Sequence, residues 1–231
     1  MRPVQMTSTS IAHNRYTGEE GRRYHEQRAD SRSAAAQSLR SHVFSDLSDT
    51  EGCILDFGCG TGGVLSCLGA ARRIGVEVNE FAAAEARASG LEVFSSLEDV
   101  PPGIADVAIS HHCLEHVENP IDSLRLLRRA LKPGGRLRLV IPGESPFWRS
   151  QRGSGADPNH HLFAWTPRSA VHLVTVAGFS DAVGTVAPTP TGSRPVAMLR
   201  SWPALQARAH WVRNWWFERF NVIVDATNRS K

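Results

Sequence analysis

Lysine is almost missing from this chain: of 26 basic residues only Lys132 and Lys231 are lysine, so the positive charge is carried by guanidinium groups. A large excess of one sign is missing too. A net charge of +3 spread over 231 residues does not call for nucleic acid as a partner, and none is expected, although acidic substrates are tolerated. No apolar run reaches membrane-spanning length, and the polar stretch Met1 to Ser10 lacks the apolar centre of a secretion signal. A cytoplasmic protein is therefore expected. The four cysteines, Cys53, Cys59, Cys67 and Cys113, form no C-x-x-C pair, which predicts small buried thiols with no disulfide and no structural zinc. Internal repeats are absent as well. With 41% hydrophobic residues the chain can bury one substantial core, so one domain with appendages is expected.

What is present is an alternation of short apolar runs with helical patterns. Residues 1 to about 18 are polar and read as a loose tail, and Glu19 to about Asp46 reads as helix. Strands are predicted at Cys53 to Phe57, Arg73 to Val78, Leu91 to Phe94, Ala105 to Ser110, Arg136 to Ile141, Phe179 to Val186 and Asn221 to Ala226. Between them lie a short helix carrying Val64, Leu65 and Leu68, an alanine-rich one from Glu80 to Ser89 ended by Gly90, one opened by Pro120, and one from Pro167 to Ala177. In the Pro120 helix Ile121, Leu124, Leu127 and Leu131 share a face, Arg125, Arg128 and Arg129 read as a solvated face, and Lys132 complements the helix dipole. Such alternation implies a mostly parallel, doubly wound α/β sheet with ligands outside the strands' carboxyl ends. The loop Gly143 to Trp165 is too long for an ordinary connection.

The most telling stretch is Leu55-Asp56-Phe57-Gly58-Cys59-Gly60-Thr61-Gly62-Gly63, a strand running into closely spaced glycines and a helix start. Glycine lets backbone approach a ligand, and the N–H groups of a helix start favour polar or anionic groups. Gly58, Gly60 and Gly63 satisfy G-x-G-x-x-G, the pattern of a dinucleotide pyrophosphate turn. Asp56 argues against that occupant: a carboxylate two residues before the first glycine repels a pyrophosphate but suits an ammonium, such as the methionine end of S-adenosylmethionine (SAM). On this turn alone the SAM cradle, the dinucleotide cradle of an NAD-dependent oxidoreductase and an uninvolved tight turn all stay open.

Further blocks follow in order: Gly75-Val76-Glu77-Val78; Ala105 to Ile109 running on to Leu114-Glu115-His116-Val117-Glu118-Asn119-Pro120; Leu131-Lys132-Pro133-Gly134-Gly135-Arg136-Leu137; and His161-Leu162-Phe163 with Trp165-Thr166 and Ala177-Gly178-Phe179. Together they resemble the class I SAM-dependent methyltransferases, of the broad group acting on small molecules and glycans, over about residues 50 to 180. The resemblance implies a Rossmann-like methyltransferase fold with a seven-stranded sheet, an N-terminal helical segment and a helical insertion before the last strand. It divides the chain into a tail and helical cap (1–48), a SAM-binding core (49–187) and a Trp-rich insertion with the final strand (188–231).

By the same resemblance Asp56, Gly58 and Gly60 line the methionine part of SAM, and Glu77, followed by Val78, accepts hydrogen bonds from the ribose hydroxyls. Ser96 and Leu97 flank adenine, where Ser95-Ser96 replaces the relatives' Gly-Asp and Glu98 is available as a substitute. Ser110 and His111 follow strand 4, where the chain passes the transferable methyl. The Asn/Asp-Pro-Pro-aromatic motif of base-amino methylating enzymes is absent there, which disfavours an adenine or cytosine amino acceptor.

Methyl transfer from a sulfonium is an in-line displacement in which alignment supplies most of the acceleration. A hydroxyl acceptor also gains from a base, and His161 and His112 are the candidates, with His116 read as part of the Leu-Glu-His turn. A metal site joining the histidines with Asp157, Glu115 and Glu118 fits no common ligand spacing, so no metal is expected. The insertion holds Trp202, Trp211, Trp215, Trp216, Phe217 and Phe220 with Arg208, Arg213 and Arg219, a composition suited to sugar rings, phosphates, a membrane surface or a homodimer interface. The expectation is thus O-methylation of a small-molecule or sugar-containing acceptor, with a non-catalytic methyltransferase-like scaffold as the rival outside enzymes.

Overall fold

The computed structural model describes residues 13–28, 32–48, 50–143, 160–188, 205, 208–209, 212 and 220–229. Helices α1 (His13–Tyr16), α2 (Gly18–Gln27) and α3 (Ala34–Ser41) lead through a 3₁₀ turn, His42–Leu47, into β1 (Thr50–Phe57). Then come α4 (Gly63–Ser66), β2 (Ala70–Val76), α5 (Glu80–Ala88), β3 (Glu92–Phe94), the 3₁₀ turn Leu97–Asp99, β4 (Ala105–His111) and the 3₁₀ turn Leu114–His116. The chain continues through α6 (Pro120–Ala130), β5 (Leu131–Pro142), α7 (Pro167–Val176), β6 (Ser180–Pro188) and β7 (Phe220–Thr227).

The strands form one seven-stranded sheet ordered β3-β2-β1-β4-β5-β7-β6. β1 to β5 pair in parallel, and β7 runs antiparallel between β5 and β6. This is the expected Rossmann-like methyltransferase architecture. Because successive strand residues face opposite sides, Leu55 and Phe57 enter one core with Leu124, Leu127 and Val174, while Ile54 enters the other with Phe44, Leu65 and Ile109. Helix α6 begins where Pro120 fixes the first turn and Asn119 accepts from Asp122 N–H at 3.3 Å. In α7, Thr166 and Ser169 cap each other reciprocally.

Several expectations change. The single helix from Glu19 to Asp46 is broken, because Ser33 caps a new helix by accepting from Ala36 N–H. Tyr16 is no loose tail residue; its ring is buried against Tyr24 and His116. Helix α6 ends at Ala130, and Lys132, already in β5, donates to both oxygens of Asp106 at 2.8 Å instead of facing a helix end. Arg129 is exposed as expected, yet it also donates to the carbonyls of Leu97, Glu98 and Val100 at 3.3, 2.8 and 3.0 Å. All four cysteines are free, yet only Cys53 and Cys59 are buried; Cys67 is exposed and Cys113 half-buried. In the Trp-rich insertion Leu205, Arg208, Ala209 and Val212 are helical, while Trp202, Trp211, Trp215, Trp216, Phe217, Arg213 and Arg219 lie outside the described residues. Among the described residues no helix is long and apolar enough to cross a membrane.

Candidate active site

A cavity of about 1180 Å³ opens at the carboxyl ends of β1, β2 and β4. Gly58, Gly60 and Gly62 all have positive φ, at +79°, +56° and +78°, so the turn after β1 depends on glycine. Space around them differs. A Cβ on Gly58 would lie 2.5 Å from Cys113 Sγ and one on Gly63 would overlap the Gln37 side chain, whereas one on Gly60 meets nothing within 4 Å. Gly58 and Gly63 thus serve protein packing, and Gly60 leaves room in the cavity. Helix α4 has only four residues, so a helix-dipole cradle for pyrophosphate is not built here.

The ligand handles are two carboxylates. Asp56 is 3% exposed, its Oδ1 receives no hydrogen bond, and burial, then neighbouring Glu77, pushes its pKa up to about 7. Glu77 sits just past β2, where its two oxygens accept from the N–H groups of Asn79 and Gly60 at 2.8 Å each. Burial raises its pKa, and those amides work in the opposite direction. Val78, Ser96 and Leu97 line the same cavity. Ser96 caps the turn that follows by accepting from Glu98 N–H at 3.2 Å. Ser110 does not reach the cavity: it is fully buried, and its hydroxyl donates to the Phe57 carbonyl at 2.9 Å. His111 does line it, and burial, reinforced by His112 and Arg40, pushes its pKa down to about 3.

At the other end of the cavity β4 delivers His112 in the left-handed region, φ +52°, a conformation costing about 1–3 kcal/mol. Three contacts hold it: its N–H donates to Val140 O at 2.8 Å, Nδ1 lies 3.1 Å from Glu115 Oε1, and Nε2 lies 3.1 Å from Asn221 Oδ1. Both ring nitrogens are therefore engaged. His161 also lines the cavity, with Nε2 3.9 Å from Glu115 Oε1 and its ring 5.1 Å from that of His116. Leu162 N–H donates to the Glu115 carbonyl at 2.8 Å, which fixes the His161 segment against the turn after β4.

Glu115 has neighbours that its sequence spacing did not suggest. It is fully buried, Oε2 accepts no hydrogen bond, and it gathers His112, His116 and His161. Glu118, by contrast, is exposed, and Asp157 lies outside the described residues. Sequence reasoning also missed the cavity wall built by α1 to α3, to which Tyr16, Tyr24, His25, Arg28, Gln37 and Arg40 belong. The hint in the sequence was Tyr24 together with Leu39 and Val43, apolar positions that also line the cavity.

A family model described as a methyltransferase domain matches residues 24–182. No curated protein sequence matches the chain. Among solved structures, a SAM-dependent methyltransferase from Archaeoglobus fulgidus is similar with TM-score 0.60 and 16% identity, covering 88% of this chain and 99% of that one. One from Mesorhizobium loti gives 0.56 and 19%, covering 85% and 99%. A phosphoethanolamine N-methyltransferase from Haemonchus contortus, bound to phosphomonomethylethanolamine and S-adenosylhomocysteine, gives 0.55 and 15%, covering 88% of this chain and 59% of that one. At these identities the likeness carries the fold. Against SAM, the residues present fit: an orphaned buried carboxylate matches an ammonium, Glu77 matches a diol, and Gly60 leaves space between them.

Proposed function

This chain belongs to the methyltransferase domain family and is a SAM-dependent enzyme, and from that premise we propose that it methylates a hydroxyl of a small-molecule or sugar-containing acceptor. Bound SAM supplies an electrophilic methyl on a sulfonium. The protein's work is placement. In this reading Asp56 receives the ammonium of the methionine tail, Glu77 the ribose hydroxyls, and Ser96 with Leu97 the adenine. Gly60 lets the backbone come close, while Gly58 makes room for Cys113 beneath the turn.

The acceptor hydroxyl approaches from the edge where His112 and His161 meet Glu115. His161 faces it, because its ring borders the cavity and sits 3.9 Å from the buried carboxylate. His112 acts as a positioning residue, since Glu115 and Asn221 engage both of its nitrogens. The observation that carries the reading is Asp56, a buried and unsatisfied carboxylate in the cavity that the histidines also line.

Incubating the protein with methyl-labelled SAM and fractionated cell extracts tests it. Label is expected in a fraction of small hydroxylated or glycosylated molecules, as an ether. Label on nitrogen would replace the hydroxyl acceptor, and SAM binding without transfer to any fraction would favour the scaffold.

A further inference from the structure

Glu115, His116 and His161 bring one ligand atom each within 4.8 Å of one another. Nε2 of His116 and Nε2 of His161 each lie 3.9 Å from Glu115 Oε1. Two observations say that something positive belongs between them. First, Glu115 is fully buried, yet among the described residues Oε2 has no donor and Oε1 has a single hydrogen-bond partner, His112 at 3.1 Å. A carboxylate removed from water is costly without a cation. Second, Nδ1 of His116 lies 3.2 Å from the His160 carbonyl, which can only accept. Nδ1 also meets the Tyr16 hydroxyl at 3.1 Å, so it is the occupied nitrogen, and with its proton given to the carbonyl Nε2 is the one left facing a carboxylate oxygen. A carbonyl behind the distal nitrogen is the support that metal-binding imidazoles use.

We propose that Glu115, His116 and His161 bind a divalent first-row metal ion. Two imidazoles and one carboxylate suit Zn²⁺, Fe²⁺ or Mn²⁺ better than Mg²⁺ or Ca²⁺. Three protein ligands are the count of a site that keeps a position open. With metal–ligand bonds of about 2.0–2.2 Å, ligand atoms sit about 3.0–3.4 Å apart, so the present separations, 3.9 Å to Glu115 and up to 4.8 Å across the three, shorten by about 0.5–1.5 Å as the ion binds. The open position faces the cavity, because His116 and His161 both line it while Glu115 stands behind them.

The ion's neighbour is the cofactor turn. Gly58 packs on Cys113, two residues before Glu115, so closely that a Cβ would lie 2.5 Å from Cys113 Sγ. The ion is thereby set to hold the acceptor's oxygen beside the methyl donor and to acidify its hydroxyl, whose proton leaves to water as the O–CH₃ bond forms and the S–CH₃ bond breaks; His161 then serves as a ligand and not as the base. That task rests on the O-methylation reading; the binding itself does not.

Co²⁺ titrated into metal-stripped full-length protein, followed by visible absorption, tests the site. Saturation at one ion per chain is expected. His161→Ala should weaken it more than about 100-fold, exceeding the usual cost of losing a supporting contact. His172→Ala, on the exposed face of α7, should leave it unchanged. An unaltered melting temperature for His161→Ala separates ligand loss from unfolding, and His116→Ala provides a second ligand test. No spectral change at millimolar Co²⁺, or equal affinity in both ligand variants and wild type, overturns the proposal. SAM calorimetry on the same metal-free protein keeps the two readings apart: SAM binding without Co²⁺ binding removes the ion and leaves methyl transfer standing.

Discussion

Asp56 carries an electrostatic cost that a cationic ligand relieves. With its pKa raised to about 7 by burial and Glu77, the ligand-free carboxyl is largely protonated below neutrality. An ammonium held against it favours the ionised form, so binding releases a proton there. SAM affinity should therefore fall as pH drops below 7, approaching about tenfold per pH unit for one linked proton. Calorimetry across pH 5.5 to 8 on wild type and Asp56→Asn checks this, the variant subtracting the ligand's own amino titration. A flat wild-type profile would remove Asp56 from the ligand. For stability the sign is reversed from the usual carboxylate: the folded state binds the extra proton, so this group's contribution declines as pH rises from about 4 to 7. Asp56→Asn should accordingly stabilise the ligand-free protein at pH 8, by about 1–3 kcal/mol, while losing SAM affinity. Glu77→Ala should weaken SAM binding, and unchanged affinity in calorimetry would cancel its ribose contact.

Among the elements, α6 does more than cover the sheet. Arg129 reaches from it to three carbonyls of the Leu97–Asp99 turn and Val100, the segment assigned to adenine. Arg129→Ala leaves those acceptors without their donor and should cost about 1–3 kcal/mol in urea unfolding. It should also raise the KM for SAM more than it lowers kcat, since it loosens a binding loop and touches no reacting atom. Equal KM would make this arginine purely structural. At the same end of the helix Asn228 donates to the carbonyls of Arg128, Leu131 and Lys132, at 3.2, 3.0 and 3.1 Å. This closes the Pro133-Gly134-Gly135 turn from a residue just past β7.

At the level of the whole molecule, the N-terminal helices are a working layer of the body. Phe44 is fully buried in the second core, and Arg138 on β5 donates to the Val43 carbonyl at 2.9 Å while pairing with Asp46 and Asp225. Asn79, which caps α5 beside Glu77, also donates to the Gly21 carbonyl at 2.9 Å and so ties α2 to the cofactor side. Phe44→Ala should lower stability by about 3–5 kcal/mol, the range for emptying a buried aromatic site. Saturating SAM should recover part of it; at 100 times its Kd the gain is about 2.7 kcal/mol. Thermal unfolding with and without SAM measures both.

The order of strands and helices, the glycine turn, Asp56 and Glu77 were all legible in the sequence, because periodicity and turn chemistry act over a few neighbouring residues. So was a mostly parallel seven-stranded sheet, through the resemblance its motifs carry, but not the order of its strands across the sheet or the antiparallel β7. Tertiary structure alone decided that Ser110 turns away from the cavity and that Gly58 and Gly63 answer to Cys113 and Gln37. It also decided that a buried Glu115 collects three histidines. Among the contacts behind them His161 comes to Glu115 from afar, although His112 and His116 are near neighbours of it, and 100 positions separate Tyr16 from His116 and 109 His112 from Asn221. No local pattern encodes such meetings; they exist once the sheet and its covering helices have packed.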